Sequence, residues 1–219
     1  MEVPASDQRD LVCSDQFSHA ALAFLLSEEQ FRLPRLDGKR VLLRAVRPED
    51  LAFVYDLETR PESITRWRFA GRTPSPEEAA RSLFSGVLVQ FVAVSRQHQE
   101  MFGLVNVHDA DLGHGWAHLA ALSTPAAQGS GLTVDAVIIL LDYVFESFPL
   151  RKLYAEALDF NLSQFGSMIG RYFVEEGTLR DHYYYGGRYW DKHLLSLSRE
   201  RWQEERDRLI AGVLDEVAK

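Results

Sequence analysis

The stretch PAAQGSGLTVDAVIILLDYVF, residues 125–145, decides how the rest of the chain is read. Three small residues, Gly129, Ser130 and Gly131, stand between a proline-led turn and a long apolar run. The spacing predicts a helix over 130–148, entered directly from a strand. Such a helix begins with N–H groups that have no partner in the preceding turn, at the positive end of the peptide dipole. Glycines there permit unusual dihedrals and let another group approach the backbone closely. A phosphate fits that description, and so does a turn that only redirects the chain. The stretch is not a Walker loop, which needs Gly-Lys-Ser/Thr, and it lacks the glycine spacing of a dinucleotide fingerprint. On these residues alone both readings stand.

Working outward, alternating apolar runs predict strands at RVLLRAV (40–46), VQFVAVS (89–95), MFGLVNVHDAD (101–111), GWAHLAALST (115–124) and KLYAEAL (152–158). RPEDLAFVYDLE (47–58) and SPEEAARSLFSGVL (75–88) open as helices, each with proline and acids in its first turn. NLSQFGSMIGRYF (161–173) predicts a further helix, and TLRDHYYYGGRYWDKHLLSL (178–197) a hairpin turning at Gly186-Gly187. This order makes a mixed α/β (α+β) domain around one sheet. We divide the chain into an N-terminal helical extension (1–36), the main domain (37–200) and a C-terminal helix (201–219). In the extension, Phe17, Ala21, Phe24 and Leu25 share one helix face, which packs on the main domain or forms a homodimer contact.

Bulk properties narrow the function. With 46% hydrophobic and 26% charged residues over 219 positions, the chain has an ordinary globular composition. Its formal charge of −8 excludes a mainly electrostatic grip on nucleic acid or anionic membrane. That charge suits a cationic substrate, though solubility alone also explains it. Cys13 is the single cysteine, so no internal disulfide or Cys/His zinc spacing exists, and we expect no metal. The run HAALAFLL is far shorter than the roughly twenty residues of a membrane span and follows acidic residues, so neither a span nor a signal peptide is expected. The expectation is a cytoplasmic protein.

Pro125, Gln128, Gly131 and Thr133 stand where the GNAT superfamily of acyl-CoA-dependent N-acyltransferases carries Gln/Arg-x-x-Gly-x-Gly/Ala after a proline. LLRAVRPEDL (42–51), HDAD (108–111), EALDFN ending at Asn161, and FVEEG (173–177) extend the match. Over about 37–200 the chain resembles that superfamily, and in particular its RimJ/RimL-like branch. Thr133 departs from the usual small final residue. The resemblance implies a mostly antiparallel central sheet flanked by helices. It also implies that Gln128, Gly129, Ser130, Gly131, Leu132 and Thr133 hold the pyrophosphate of acetyl-CoA. Leu122 and Ser123 would bond the pantetheine arm as a further strand does, and Asn161 would contact the same arm.

The implied reaction moves an acetyl group from acetyl-CoA to a primary amine, on a small molecule or a peptide N-terminus, by direct attack. It requires a neutral amine, a donor for the developing oxyanion and a proton for the departing thiolate. No covalent enzyme intermediate is needed, so Cys13 is not a nucleophile. The oxyanion donor would be a backbone N–H near Leu122. His118 holds the place where many relatives have a basic Glu, and an imidazole near pKa 6.5 can accept a proton at neutral pH. A structural polar residue at a strand edge is the alternative. His108 and His114 are weaker candidates, and a histidine base suits an α-amine better than a lysine-like one. Met168 stands where many relatives have a proton-donating Tyr, and Gln164 where a Ser is sometimes used; Ser163, Ser167 and Tyr172 lie nearby. Trp67, Arg68, Tyr183, Tyr185 and Tyr189 are candidates to wall the acceptor groove. The missing Tyr motivates a different class of function, a non-catalytic acyl-CoA-binding module.

Overall fold

The computed structural model describes residues 35–162 and 166–214. Among these residues eight strands form one sheet in the order β1-β2-β3-β4-β5-β6-β8-β7. They are β1 (Arg35–Asp37), β2 (Val41–Ala45), β3 (Val87–Ser95), β4 (Met101–Asp111), β5 (Trp116–Ser123), β6 (Lys152–Leu158), β7 (Val174–Tyr185) and β8 (Arg188–Ser198). The helices are α1 (Leu51–Thr59), α2 (Pro76–Ser82), α3 (Leu132–Ser147), α4 (Asp159–Leu162) and α5 (Arg199–Val213). All neighbouring strands are antiparallel except β5 and β6. That parallel pair is held only at Trp116–His118 against Lys152–Tyr154. Beyond these residues the two strands separate, and a wedge opens toward their C-terminal ends.

Both faces of the sheet are covered, which is why β3 and β4 read as near-continuous apolar runs. On one face α3 and α5 pack over Val105, Ala117, Leu153, Leu195 and Leu197. On the other, Val54 and Leu57 of α1 meet Leu83, Val92, Leu104 and Leu122. Local chemistry sets the helix ends. Ser75 Oγ accepts the Glu78 N–H at 3.2 Å while the Glu78 carboxylate accepts the Ser75 N–H at 2.8 Å, a capping box that starts α2. Arg199 donates to the carbonyls of Phe145, Phe148 and Leu150, satisfying the end of α3. Trp202 is buried and stacks on Phe145 with centroids 6.1 Å apart, fastening α5. Truncating Trp202 to Ala would cost about 3–5 kcal/mol.

The sheet has the expected class, and the differences lie at element ends. β1 was not foreseen and crosses the expected boundary between residues 36 and 37. β3 begins at Val87, two residues early. The helix expected over 161–173 is replaced by the four residues of α4 and a 3-10 turn at Gly166–Met168. Gly166 and Gly170 both take positive φ (43° and 80°), which a continuing helix cannot use. β7 accordingly starts at Val174 and takes in most of FVEEG. The helix expected over 14–31 lies outside the described residues. Among those described, no helix is long and apolar enough to cross a membrane.

Candidate active site

The glycine turn opens α3. Gly129 and Gly131 have φ of +74° and +81°, so side-chain-bearing residues would be strained at both. A Cβ on Gly129 would meet nothing within 4 Å, so the space beside it is open. At Gly131 it would come within 3.1 Å of Arg40 Nη2. Arg40 also donates to Asp135 Oδ2 at 2.7 Å and to the Ser130 carbonyl at 3.3 Å, clamping the turn to the base of β2. Ser130 Oγ donates to the Ala127 carbonyl and accepts the Leu132 N–H. That leaves the N–H groups of Gly129, Gly131, Thr133 and Val134 without a hydrogen bond among the described residues. Open space, four free amides and the positive end of a 16-residue helix fit a diphosphate.

The edge of β5 faces the wedge. Gly103 lets β4 approach β5 so closely that a Cβ there would lie 2.7 Å from the Leu122 carbonyl oxygen. The Thr124 N–H bonds Phe102 O at 2.8 Å, which sets the hydrogen-bonding phase of this antiparallel pair. Leu122 then turns its own N–H and C=O toward β4. The amides of Ala121 and Ser123 face the wedge, and β6 has by then moved away. The amides near Leu122 that face the wedge thus belong to its neighbours, while the Leu122 side chain sits in the core beside α1.

A cleft of about 1430 Å³ runs along this wedge, lined by His118, Leu122, Ser123, Gln128, Gly129, Gly131, Thr133 and Asn161 among others. Asn161 Oδ1 accepts the Leu158 N–H at 2.7 Å, so this side chain also ends β6. His118 is half-buried on β5. Its ring stacks on His108 of β4 at 5.6 Å and lies 5.8 Å from Trp116 and 5.7 Å from Tyr154. Burial pushes its pKa below the ordinary 6.5, and His108 pushes it the same way, against weaker pulls from Glu156 and Asp109. Among the described residues His118 makes no hydrogen bond, so both ring nitrogens are available. A neutral, unengaged imidazole on the cleft wall can accept a proton.

The other candidates separate. Tyr172 lines the cleft, and its hydroxyl oxygen accepts from Arg208 Nη2 at 2.7 Å, leaving the phenolic proton free to be donated. Met168 also lines the cleft and cannot donate. Trp67, Arg68 and Tyr183 lie on the cleft wall, whereas Tyr185 packs on Phe160 and Tyr189 is exposed. His114 is at the β4–β5 hairpin, bonded to Asp111. Ser163 and Gln164 fall outside the described residues, as does Cys13.

Along the wall runs a buried polar row of which the sequence offered only Trp67 and Arg68, as wall candidates. Glu58 is 1% exposed and pairs with Arg68 at 2.8 Å while accepting from Trp67 Nε1. Arg68 continues to Gln90, and Gln90 to Asn106. These residues are spread over nearly fifty positions, so no local motif marks them. Arg40 was missed likewise, since its partner Asp135 is remote in sequence.

Comparison with known proteins matches the acetyltransferase (GNAT) domain model to residues 40–166. A spermidine N(1)-acetyltransferase of Vibrio cholerae is 26% identical over 169 residues, covering 75% of this chain and 96% of that protein. The crystal structure of spermidine N-acetyltransferase from Vibrio cholerae in complex with CoA and spermine superposes with a TM-score of 0.66 at 24% identity, over 75% of this chain and 98% of the other. A second structure, with manganese ions, gives 0.64 at 24% identity, over 76% and 96%.

Proposed function

This chain belongs to the GNAT acetyltransferase family, and from that premise we propose that it acetylates a terminal amine of a small polyamine, with His118 taking the proton. It is an acyl-CoA-dependent N-acetyltransferase that moves an acetyl group from acetyl-CoA to a primary amine. Placement in the RimJ/RimL-like branch gains no support from relatives named for spermidine. The observation that carries the site is the wedge, which brings free amides, an open strand edge and an unengaged histidine onto one cleft.

In this reading Gly129, Gly131, Thr133 and Val134 hold the diphosphate by their N–H groups. Ala121 and Ser123 bond the pantetheine arm along the β5 edge and can offer an N–H to the developing oxyanion. His118 accepts the proton of the attacking amine, and Tyr172 supplies one to the departing sulfur in place of the absent tyrosine at position 168. Support for a polyamine comes from the relatives rather than from the lining charges, because Asp109, Glu156 and Glu205 in the cleft already face His108, Lys192 and Arg208. A polyamine nitrogen with a lysine-like pKa near 10.4 costs roughly 4–5 kcal/mol to deprotonate at pH 7, so this acceptor departs from the α-amine that a histidine base suits better. The rate should therefore keep rising well above neutral pH.

Free-thiol release from acetyl-CoA with spermidine, and with a panel including a dipeptide α-amine, tests the assignment. Turnover on spermidine that increases between pH 7 and about 9 supports it. Preference for the α-amine would move the acceptor to peptide N-termini. Tight CoA binding with no turnover would restore the non-catalytic reading, which these relatives do not favour.

A further inference from the structure

The buried row along the cleft wall has an open end. Arg68 can only donate, so Gln90 must present Oε1 to its Nη2, at 2.7 Å. The same Oε1 accepts from Asn106 Nδ2 at 3.4 Å, and Gln90 Nε2 goes to the Leu83 carbonyl. Each amide orientation downstream of the arginine is thereby set. What remains is Asn106 Oδ1, which has almost no exposed surface and no donor among the described residues. Asn106 is 3% exposed and lines the cleft. Buried acceptors are ordinarily satisfied, because leaving one unpaired is costly.

Its position suggests what satisfies it. Asn106 pairs with Ala120, and the next pair on the same face is His108 with His118. Ala120 brings only a methyl group beside the amide. An orphan oxygen and an unengaged imidazole are therefore close neighbours on one wall.

We propose that Asn106 is a specificity-determining residue whose Oδ1 accepts one N–H of the acceptor nitrogen while His118 takes the other. This rests on the transferase reading above. A neutral primary amine carries two N–H groups and a lone pair. The lone pair forms the N–C bond while the carbonyl pair moves to oxygen; its return breaks the C–S bond, sulfur leaves with that bond's electron pair, and one nitrogen proton passes to His118. The second N–H stays on the product amide throughout and is the one Asn106 holds. A secondary amine has only one N–H, so its binding leaves Asn106 unpaired. The site thus selects primary amines.

The test compares kcat/KM for spermidine with that for spermidine methylated on both terminal nitrogens, in wild type, Asn106→Leu and Asn106→Ser. Wild type should prefer the primary amine by about 100-fold or more. In both variants this preference should shrink to below about tenfold, through loss on spermidine, while acetyl-CoA affinity stays within about twofold. The ratio does not depend on how much of a variant is folded. Turnover with an unchanged ratio in both variants removes the role of Asn106 alone. Absence of wild-type turnover on any amine removes the transferase reading, and this one with it.

Discussion

Two half-hidden imidazoles lie on opposite sides of the β6 strand and have opposite fates. His193 of β8 is wedged between carboxylates, with Nε2 2.7 Å from Asp159 and Nδ1 2.9 Å from Glu175. Those partners raise its pKa above 6.5. It ties the start of α4 to β7, and Thr178 reinforces Glu175 from β7 itself. Among the described residues no carboxylate contacts His118; burial and a second histidine lower its pKa. A histidine whose nitrogens are both engaged is a fastener. One kept neutral, with its nitrogens unengaged in a cleft, is equipped for proton transfer.

The largest test of this contrast is His118→Ala, which should lower turnover by about 10²–10⁴-fold while leaving acetyl-CoA affinity nearly unchanged by calorimetry. His193→Gln should do the reverse and leave turnover largely intact. It should destabilise the fold by about 1 kcal/mol, discounted for the partial exposure of both carboxylates. The sign of its pH dependence follows from linkage. His193 holds its proton more tightly folded than unfolded, so its stabilisation is complete below about pH 6.5 and is lost as pH rises through its raised folded value. Thermal melts of wild type and His193→Gln should accordingly differ more at pH 6 than at pH 9. A gap that widens with pH would break the comparison.

The smallest effect is expected from His108→Ala. The groups facing His118 are His108 and Asp109 from β4, Tyr154 and Glu156 from β6, and Lys192 from β8. Removing His108 takes away a charge that disfavours imidazolium, so the acidic limb of kcat/KM should move to higher pH. An unmoved limb would mean that burial alone sets it.

The glycine turn was legible because positive φ at Gly129 and Gly131 is a local demand written in residue type. The class of the sheet followed from apolar runs for the same reason. The phase of β5 was not legible. Whether Leu122 or its neighbours face the wedge depends on the Thr124–Phe102 bond and on β6 leaving after Tyr154. Asn106 looked like one polar residue in a strand, since its orphan state is created by Arg68 through Gln90. The failed helix after Asn161 was a missed local signal, because Gly166 and Gly170 were both in view.

Only three residue pairs join β5 to β6, so the sheet is built as two panels with a gap in the weave. On the proposed reading the pantetheine arm fills that gap, and the cosubstrate acts as a temporary strand of the protein. Amide exchange at Ala121 and Ser123 should then slow on loading, so the rigidity of the molecule would report whether it is charged for its next cycle.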